Sequence, residues 1–175
     1  SFYKWSGGGR IPIFCDTTSC THTLLFETGG DILTPENREK YKQLKIMDIT
    51  QWLKEVVLPR IKVIRPKNRI LLHPTCSCQI MGLTPVLLDI ARKCAREVIL
   101  PDNWGCCGAS GDRGFIFPEL SDSATRDERD EIGHESFDGC YSLARTCEIA
   151  MQDHIEQPYE SIVYLVDETI QDQGT

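Results

Sequence analysis

"RILLHPTCSCQIMGLTPVLLDIARKCAREVILP", residues 69–101, carries the clearest change of hydrophobic period in the chain. An apolar run from Arg69 to His73 reads as a strand that passes into a loop at Pro74. From residue 83 to 96 the period changes, and Val86, Leu87, Ile90, Ala91 and Cys94 fall on one helical face. "EVILP" then reads as a second buried strand. A strand, a helix with one apolar face and another strand in this order predict a parallel crossover in which the helix packs on the sheet.

The same alternation extends in both directions. "IPIFC" (residues 11–15) reads as a short strand, and "SCTHTLLFE" after it as a helix that starts near Ser19, with a loop from Thr28 to Glu36. A strand around Leu44–Met47 precedes a helix capped near Asp48 or Thr50, whose Ile49, Trp52, Leu53, Val56 and Val57 follow helical spacing until Pro59. "IKVI" (residues 61–64) is expected to be a further strand, broken from the next at residues 65–68. Residues 118–132 form a charged, solvent-facing helix in this reading. "ESFDGCYS" is a weak segment, "LARTCEIAMQDHI" a helix and "SIVYLVDETI" a strand passing into a helix. The expected fold class is α/β with a parallel sheet.

An internal echo accompanies the alternation. "TTSC" (17–20) and "ARTC" (144–147) each precede a helix-like run, and each is followed by an apolar strand leading into a helix. The expectation is the tail of one repeat over residues 1–60 and a complete second repeat over 61–175, packed as one globular unit.

The composition limits the function classes. Hydrophobic residues make up 41% of the 175, enough for a core, which argues against disorder of the whole chain. A net charge of -7 with no block of Lys or Arg argues against binding to nucleic acid or an anionic membrane surface. No apolar run approaches the roughly 20 residues of a membrane span, and the first residues lack the apolar stretch of a secretory signal, so no membrane span and a cytoplasmic address are expected.

Nine cysteines without an export signal suggest metal ligation or redox chemistry before a disulfide framework. Cys94 and Cys15 read as ordinary buried thiols. Cys76, Cys106, Cys107 and Cys147 stand apart, because they fall on loops or helix starts at the edge of the expected sheet: Cys76 after one strand, Cys106 and Cys107 after the next, and Cys147 opening a helix. That edge of an open α/β sheet gathers ligands. In "NWGCCGASGDRG" (103–114) the two adjacent cysteines are a strained pair for a mutual disulfide. The glycines beside them, Gly105 and Gly108 above all, would let the backbone close around a bulky centre. Thiolate-rich ligation suits an iron-sulfur cluster or zinc, and the spacing matches neither a zinc ribbon nor a bacterial ferredoxin, so cluster, zinc and unmetallated thiols all stay open on chemistry alone.

"HPTCSC", "GCCGASGDRGFIFPEL" and "ARTCEIAM" ahead of "PYESIVYLVDE" resemble the cysteine-rich CCG domain of heterodisulfide reductase subunits and of glycolate- and D-lactate-oxidising enzymes. The closest resemblance is to the C-terminal region of FAD-linked D-lactate and D-2-hydroxy-acid dehydrogenases. It implies that Cys76, Cys106, Cys107 and Cys147 hold an iron-sulfur cluster of the 4Fe-4S type, with zinc as the alternative. Ala144 stands where the family has the first cysteine of a late pair, so four ligands are implied rather than five, with Cys78 or Cys140 as substitutes. Cys20 would be the last ligand of the truncated first repeat. The implied partners are upstream FAD and ferredoxin-like domains and an electron acceptor. The implied role is electron relay from the flavin, with no catalytic residue in this chain and a location in the cytoplasm or at the inner face of the membrane. The other readings are a structural zinc or interaction module of the same enzyme, and a subunit of a heterodisulfide-reductase-like or glycolate oxidase complex.

Among the remaining polar residues, His73 reads first as a hydrogen-bonding brace and second as a ligand or proton relay. His22, His134 and His154 lack a ligand-like grouping. Asp112 and Arg113 read as a pair that fixes their loop. Arg145 and Glu148 flank Cys147, and "DSATRDERDE" (122–131) reads as an exposed helix face. No dinucleotide fingerprint, P-loop or nucleophile with an adjacent base is present.

Overall fold

A computed structural model of the chain describes residues 1–28 and 32–170. The strands are β1 (Ile13–Cys15), β2 (Ile46–Asp48), β3 (Lys67–Leu72), β4 (Ala95–Ile99), β5 (Gly139–Ser142) and β6 (Tyr159–Ser161). The α-helices are α1 (Phe2–Trp5), α2 (Thr18–His22), α3 (Pro35–Tyr41), α4 (Ile49–Trp52) and α5 (Cys76–Ile80), then α6 (Thr84–Cys94), α7 (Arg113–Ile116), α8 (Pro118–Ile132), α9 (Arg145–Ile155) and α10 (Ile162–Ile170). Wider turns extend α2 through Glu27 and α4 through Val57, and a tight turn, Leu58–Arg60, carries Pro59.

All strand pairs are parallel, in a four-stranded sheet of order β4-β3-β5-β6 and a two-stranded sheet β1-β2. The expected α/β class is therefore what the chain adopts. From β3 the chain winds one way to β4, then returns across the sheet to β5 and β6, which makes β3 and β5 the strands flanking a topological switch point. Their alternate side chains feed two cores. Ile70, Leu72 and Tyr141 meet α4, α6 and α10 on one face. Leu71 and Cys140 meet Ile132 of α8 and Ala150, Met151 and Ile155 of α9 on the other. The helix expected within 69–101 is present, with Leu87, Ile90, Ala91 and Cys94 buried and Val86 half-buried, but the second strand is Ala95–Ile99, an edge strand in which only Ala95 is buried, and residues 76–80 form a short helix where a loop was expected.

The echo has a counterpart in the hydrogen-bonding register. Cys15 pairs with Asp48, and Ser142 pairs with Ser161. Cys15 and Ser142 stand at the same distance before Cys20 and Cys147, and Asp48 and Ser161 each immediately precede a helix. Asp48 caps α4 through a capping box: its Oδ1 accepts from the Thr50 amide at 2.9 Å, and Gln51 accepts from the Asp48 amide at 3.3 Å.

Several expectations are corrected. Residues 61–64 form no strand; the amides of Ile64 and Arg65 donate to the Thr169 carbonyl near the end of α10, and Pro66 has no amide with which to continue a ladder. The apolar run in "SIVYLVDETI" is helical, because Ile162, Leu165, Val166 and Thr169 recur at the helical period, and the strand lies earlier, at Tyr159–Ser161. The loop expected from Thr28 to Glu36 lies partly outside the described residues, and it gives way to α3, which starts with Thr34 as N-cap and Pro35 in the first turn. The weak segment supplies β5, a central strand. Helix α8 is not solvated all round, since Ser121, Thr125, Glu128 and Ile132 form a buried stripe along it.

Candidate metal or redox centre

The strand ends set the position of the site. His73 follows β3, and its amide donates to the Tyr141 carbonyl at 3.0 Å while the Ser142 hydroxyl donates to the His73 carbonyl at 2.8 Å. The chain after β3 is thereby stitched to the end of β5. Thr75 caps α5 by accepting from the Cys78 amide at 3.2 Å, which places Cys76 in the first residue of that helix. Cys147 lies in the first turn of α9, and the Cys106–Cys107 loop descends from the end of β4.

The four expected cysteines meet there. The Cys107 thiol donates to Cys147 Sγ at 2.9 Å. Cys106 is in hydrogen-bonding contact with both Cys107 and Cys76, and Cys147 is close enough to act electrostatically on Cys76. The sulfurs thus form a chain from Cys76 through Cys106 and Cys107 to Cys147. Hydrogen bonds from Cys107 and Cys76, with the Gly108 amide behind them at 3.4 Å, hold the Cys106 thiol far below its ordinary range. The contact with Cys106 pushes Cys107 and Cys76 up, and burial adds to both. Cys107 and Cys147 are buried, whereas Cys76 and Cys106 are exposed.

The glycine reading resolves into two cases. A Cβ on Gly108 would meet the Leu120 carbonyl at 2.6 Å and Ser121 Cα at 2.7 Å, and its φ is +73°, so Gly108 lets the cysteine loop lie against the start of α8. Around Gly105 the space is open.

His73 is fully buried, with Nδ1 2.9 Å from Glu128 Oε2. Glu128 is itself buried, carried inward by the α8 stripe. His73 Nε2 has no hydrogen-bond partner, and the ring acts electrostatically on Cys106. A histidine that ligates a metal through one ring nitrogen commonly gives the N–H of the other to a carboxylate, as His73 can to Glu128. The bracing role expected of His73 is thus present on one side of the ring. Glu128 went unread in the sequence; its signal was a position on the same face as Ile132, hidden among solvated charges.

The other cysteines are placed elsewhere. Cys78 is in the core under α6, 3.9 Å from the Thr84 hydroxyl, and burial pushes its thiol up to about 12. Cys140 is buried in β5 and also pushed up to about 12 by burial, and Cys94 is core as expected. Cys15 differs from its expectation: it is half-buried and touches Cys20, whose thiol is pushed up by burial and by that neighbour. Arg145 lies 3.1 Å from Glu148, and burial raises the Glu148 carboxyl against the pull of that guanidinium. His22 and His154 approach carboxylates of Glu27 and Asp122 at 3.2 and 3.9 Å.

The donor set fits a thiophilic metal centre in its chemistry: four thiols, amide donors at the sulfurs and an unpartnered imidazole nitrogen. Its spacing is contracted. Tetrahedral zinc at about 2.3 Å from each sulfur would set thiolates about 3.8 Å apart, so Cys107 and Cys147 must separate by about 1 Å to share one ion. No three of the described His, Cys, Asp and Glu side chains stand in a ready-made ligand geometry. No helix among the described residues is long and apolar enough to cross a membrane. No family model matches the chain, and no curated protein matches it.

Proposed function

We propose that this chain is an electron-relay module whose Cys76, Cys106, Cys107 and Cys147 hold an iron-sulfur cluster of the 4Fe-4S type. The observation that carries the reading is the convergence of four thiols from three separate strand ends at the switch point of a parallel sheet, with Cys107 and Cys147 at 2.9 Å. When bound, such a cluster would supply a one-electron redox couple. The chain's own residues supply the rest. The Gly108 and Ala109 amides point at the sulfurs of Cys106 and Cys107 and would stabilise their negative charge. Glu128 fixes the His73 ring, and exposed Cys106 and Cys76 mark the side from which an electron donor or acceptor would approach.

The resemblance to CCG domains supports placing the module in an FAD-linked D-2-hydroxy-acid dehydrogenase, with D-lactate as substrate of the parent enzyme and the flavin on another domain. In that setting the electrons come from the flavin and leave to a separate acceptor. The second reading, a structural zinc module, draws on the same four thiols and on His73.

The test is iron, zinc and acid-labile sulfide analysis with an absorption spectrum on protein purified without oxygen, repeated on Cys107→Ser. Brown protein containing iron and sulfide, both lost in the variant, is the expected result. Stoichiometric zinc without colour would replace the relay reading by the structural one, because zinc has no accessible redox state.

A further inference from the structure

The same sulfurs have a second chemistry that does not require a metal. Cys107 and Cys147 are both buried, belong to different elements and lie 2.9 Å apart, closer than two non-bonded sulfurs normally rest and within about 1 Å of a disulfide bond length. Of the alternative pairings, Cys106–Cys107 joins neighbours in sequence, where a disulfide is strained, and Cys76–Cys106, whose exposed thiols are in contact, is the competing pair that the experiment must tell apart. We propose that in the metal-free chain Cys107 and Cys147 form a reversible disulfide, so that oxidation and metal loading compete for the same two sulfurs.

A peroxide is the oxidant. The Cys147 sulfur, which accepts the Cys107 thiol hydrogen bond at 2.9 Å, attacks the peroxide after losing its proton and breaks the O–O bond; Cys147 becomes a sulfenic acid and one water leaves after proton transfer. The Cys107 sulfur then attacks Cys147 Sγ. The S–O bond breaks, the S–S bond forms, and the hydroxyl leaves as a second water with the Cys107 proton. Two thiols lose two electrons and two protons, and one hydrogen peroxide becomes two waters. The bond ties the cysteine loop to the first turn of α9, and the two sulfurs can then no longer spread to share an ion. A dithiol reductant reverses it by thiol–disulfide exchange.

The experiment uses the full chain, stripped of metal under reductant, freed of reductant without oxygen and titrated with hydrogen peroxide. Thiols are blocked by alkylation, and the protein is digested without reduction for tandem mass spectrometry. The expected result is one cross-link between the peptide carrying Cys106 and Cys107 and the peptide carrying Cys147, with fragment ions that place the bond on Cys107. Cys107 and Cys147 lose alkylation, Cys106→Ser keeps the cross-link, and reductant removes it. A bond to Cys106 or Cys76, or oxidation to sulfinic acid without a cross-link, overturns the proposal. Because wild-type mapping locates the bond, the result does not depend on a variant that folds poorly. A parallel sample preloaded with zinc separates this inference from the metal-centre reading. Zinc that binds and blocks the cross-link supports both, whereas a chain that cross-links but takes up neither zinc nor iron keeps the disulfide and loses the metal centre.

Discussion

Gly108 illustrates what a single residue controls here. Its positive φ and its contact with the Leu120 carbonyl leave no room for a side chain, so Gly108→Ala should cost about 2 kcal/mol or more, while Gly105→Ala, with open space around it, should stay within about 0.5 kcal/mol. Urea unfolding of the two variants checks the contrast; equal effects would mean that the loop does not rest on α8 as described. At this scale Cys76, Cys106 and Cys107 were legible in the sequence because they follow apolar runs, and Cys147 because it opens a helix, although it also shares the buried face of Ala150, Met151 and Ile155. Glu128 was not. Its stripe on α8 consists of Ser121, Thr125, Glu128 and Ile132, so three of four inward positions are polar and no hydrophobic period marks them. The partner that draws a carboxylate inward, His73, lies far away in sequence.

Among the elements, β3 and β5 carry the site, and Asp138 links their beginnings. Asp138 Oδ2 accepts from the amides of Asn68 at 2.6 Å and Arg69 at 3.2 Å, which holds its carboxyl below the usual range. A depressed carboxyl stabilises the fold above its unfolded pKa, near 3.9, and the contribution disappears as pH falls through the lower folded value. Asp138→Asn should therefore be less stable than wild type at neutral pH, with the difference shrinking below about pH 4. Thermal melts across pH 2–7 measure it, and a constant difference would assign the effect to something other than ionisation. Elements of consistent period were readable, as α6 demonstrates. Those that failed had mixed signals: "IVYLV" is rich in β-branched residues yet packs at helical spacing, and residues 61–64 look like a strand but end with the amides of Ile64 and Arg65 donating to Thr169 of α10.

Taken whole, the molecule joins its two chain segments through α4. Ile49 and Leu53, from the part expected to belong to a preceding repeat, are buried in the cluster that contains Leu87, Ile90 and Leu165. Leu53→Ala should cost about 2–5 kcal/mol and lower the unfolding midpoint of the entire chain in one transition. A separate early transition for residues 1–60, followed by Trp5 and Trp52 fluorescence in a Trp104→Phe background against far-ultraviolet dichroism, would show that the segments unfold independently. The α/β class was readable from the alternation of strands and helices, whereas this junction was not, since the apolar face of α4 says that it is covered but not by what. Common ancestry offers another view of the paired registers. Letters drift under mutation and loops change length freely, but a ladder cannot slip by one residue without turning every side chain to the wrong face. If the two segments descend from one duplicated gene segment, the pairing of Cys15 with Asp48 and of Ser142 with Ser161 would outlast their spelling, and it aligns Cys20 with Cys147 independently of the short echo between "TTSC" and "ARTC".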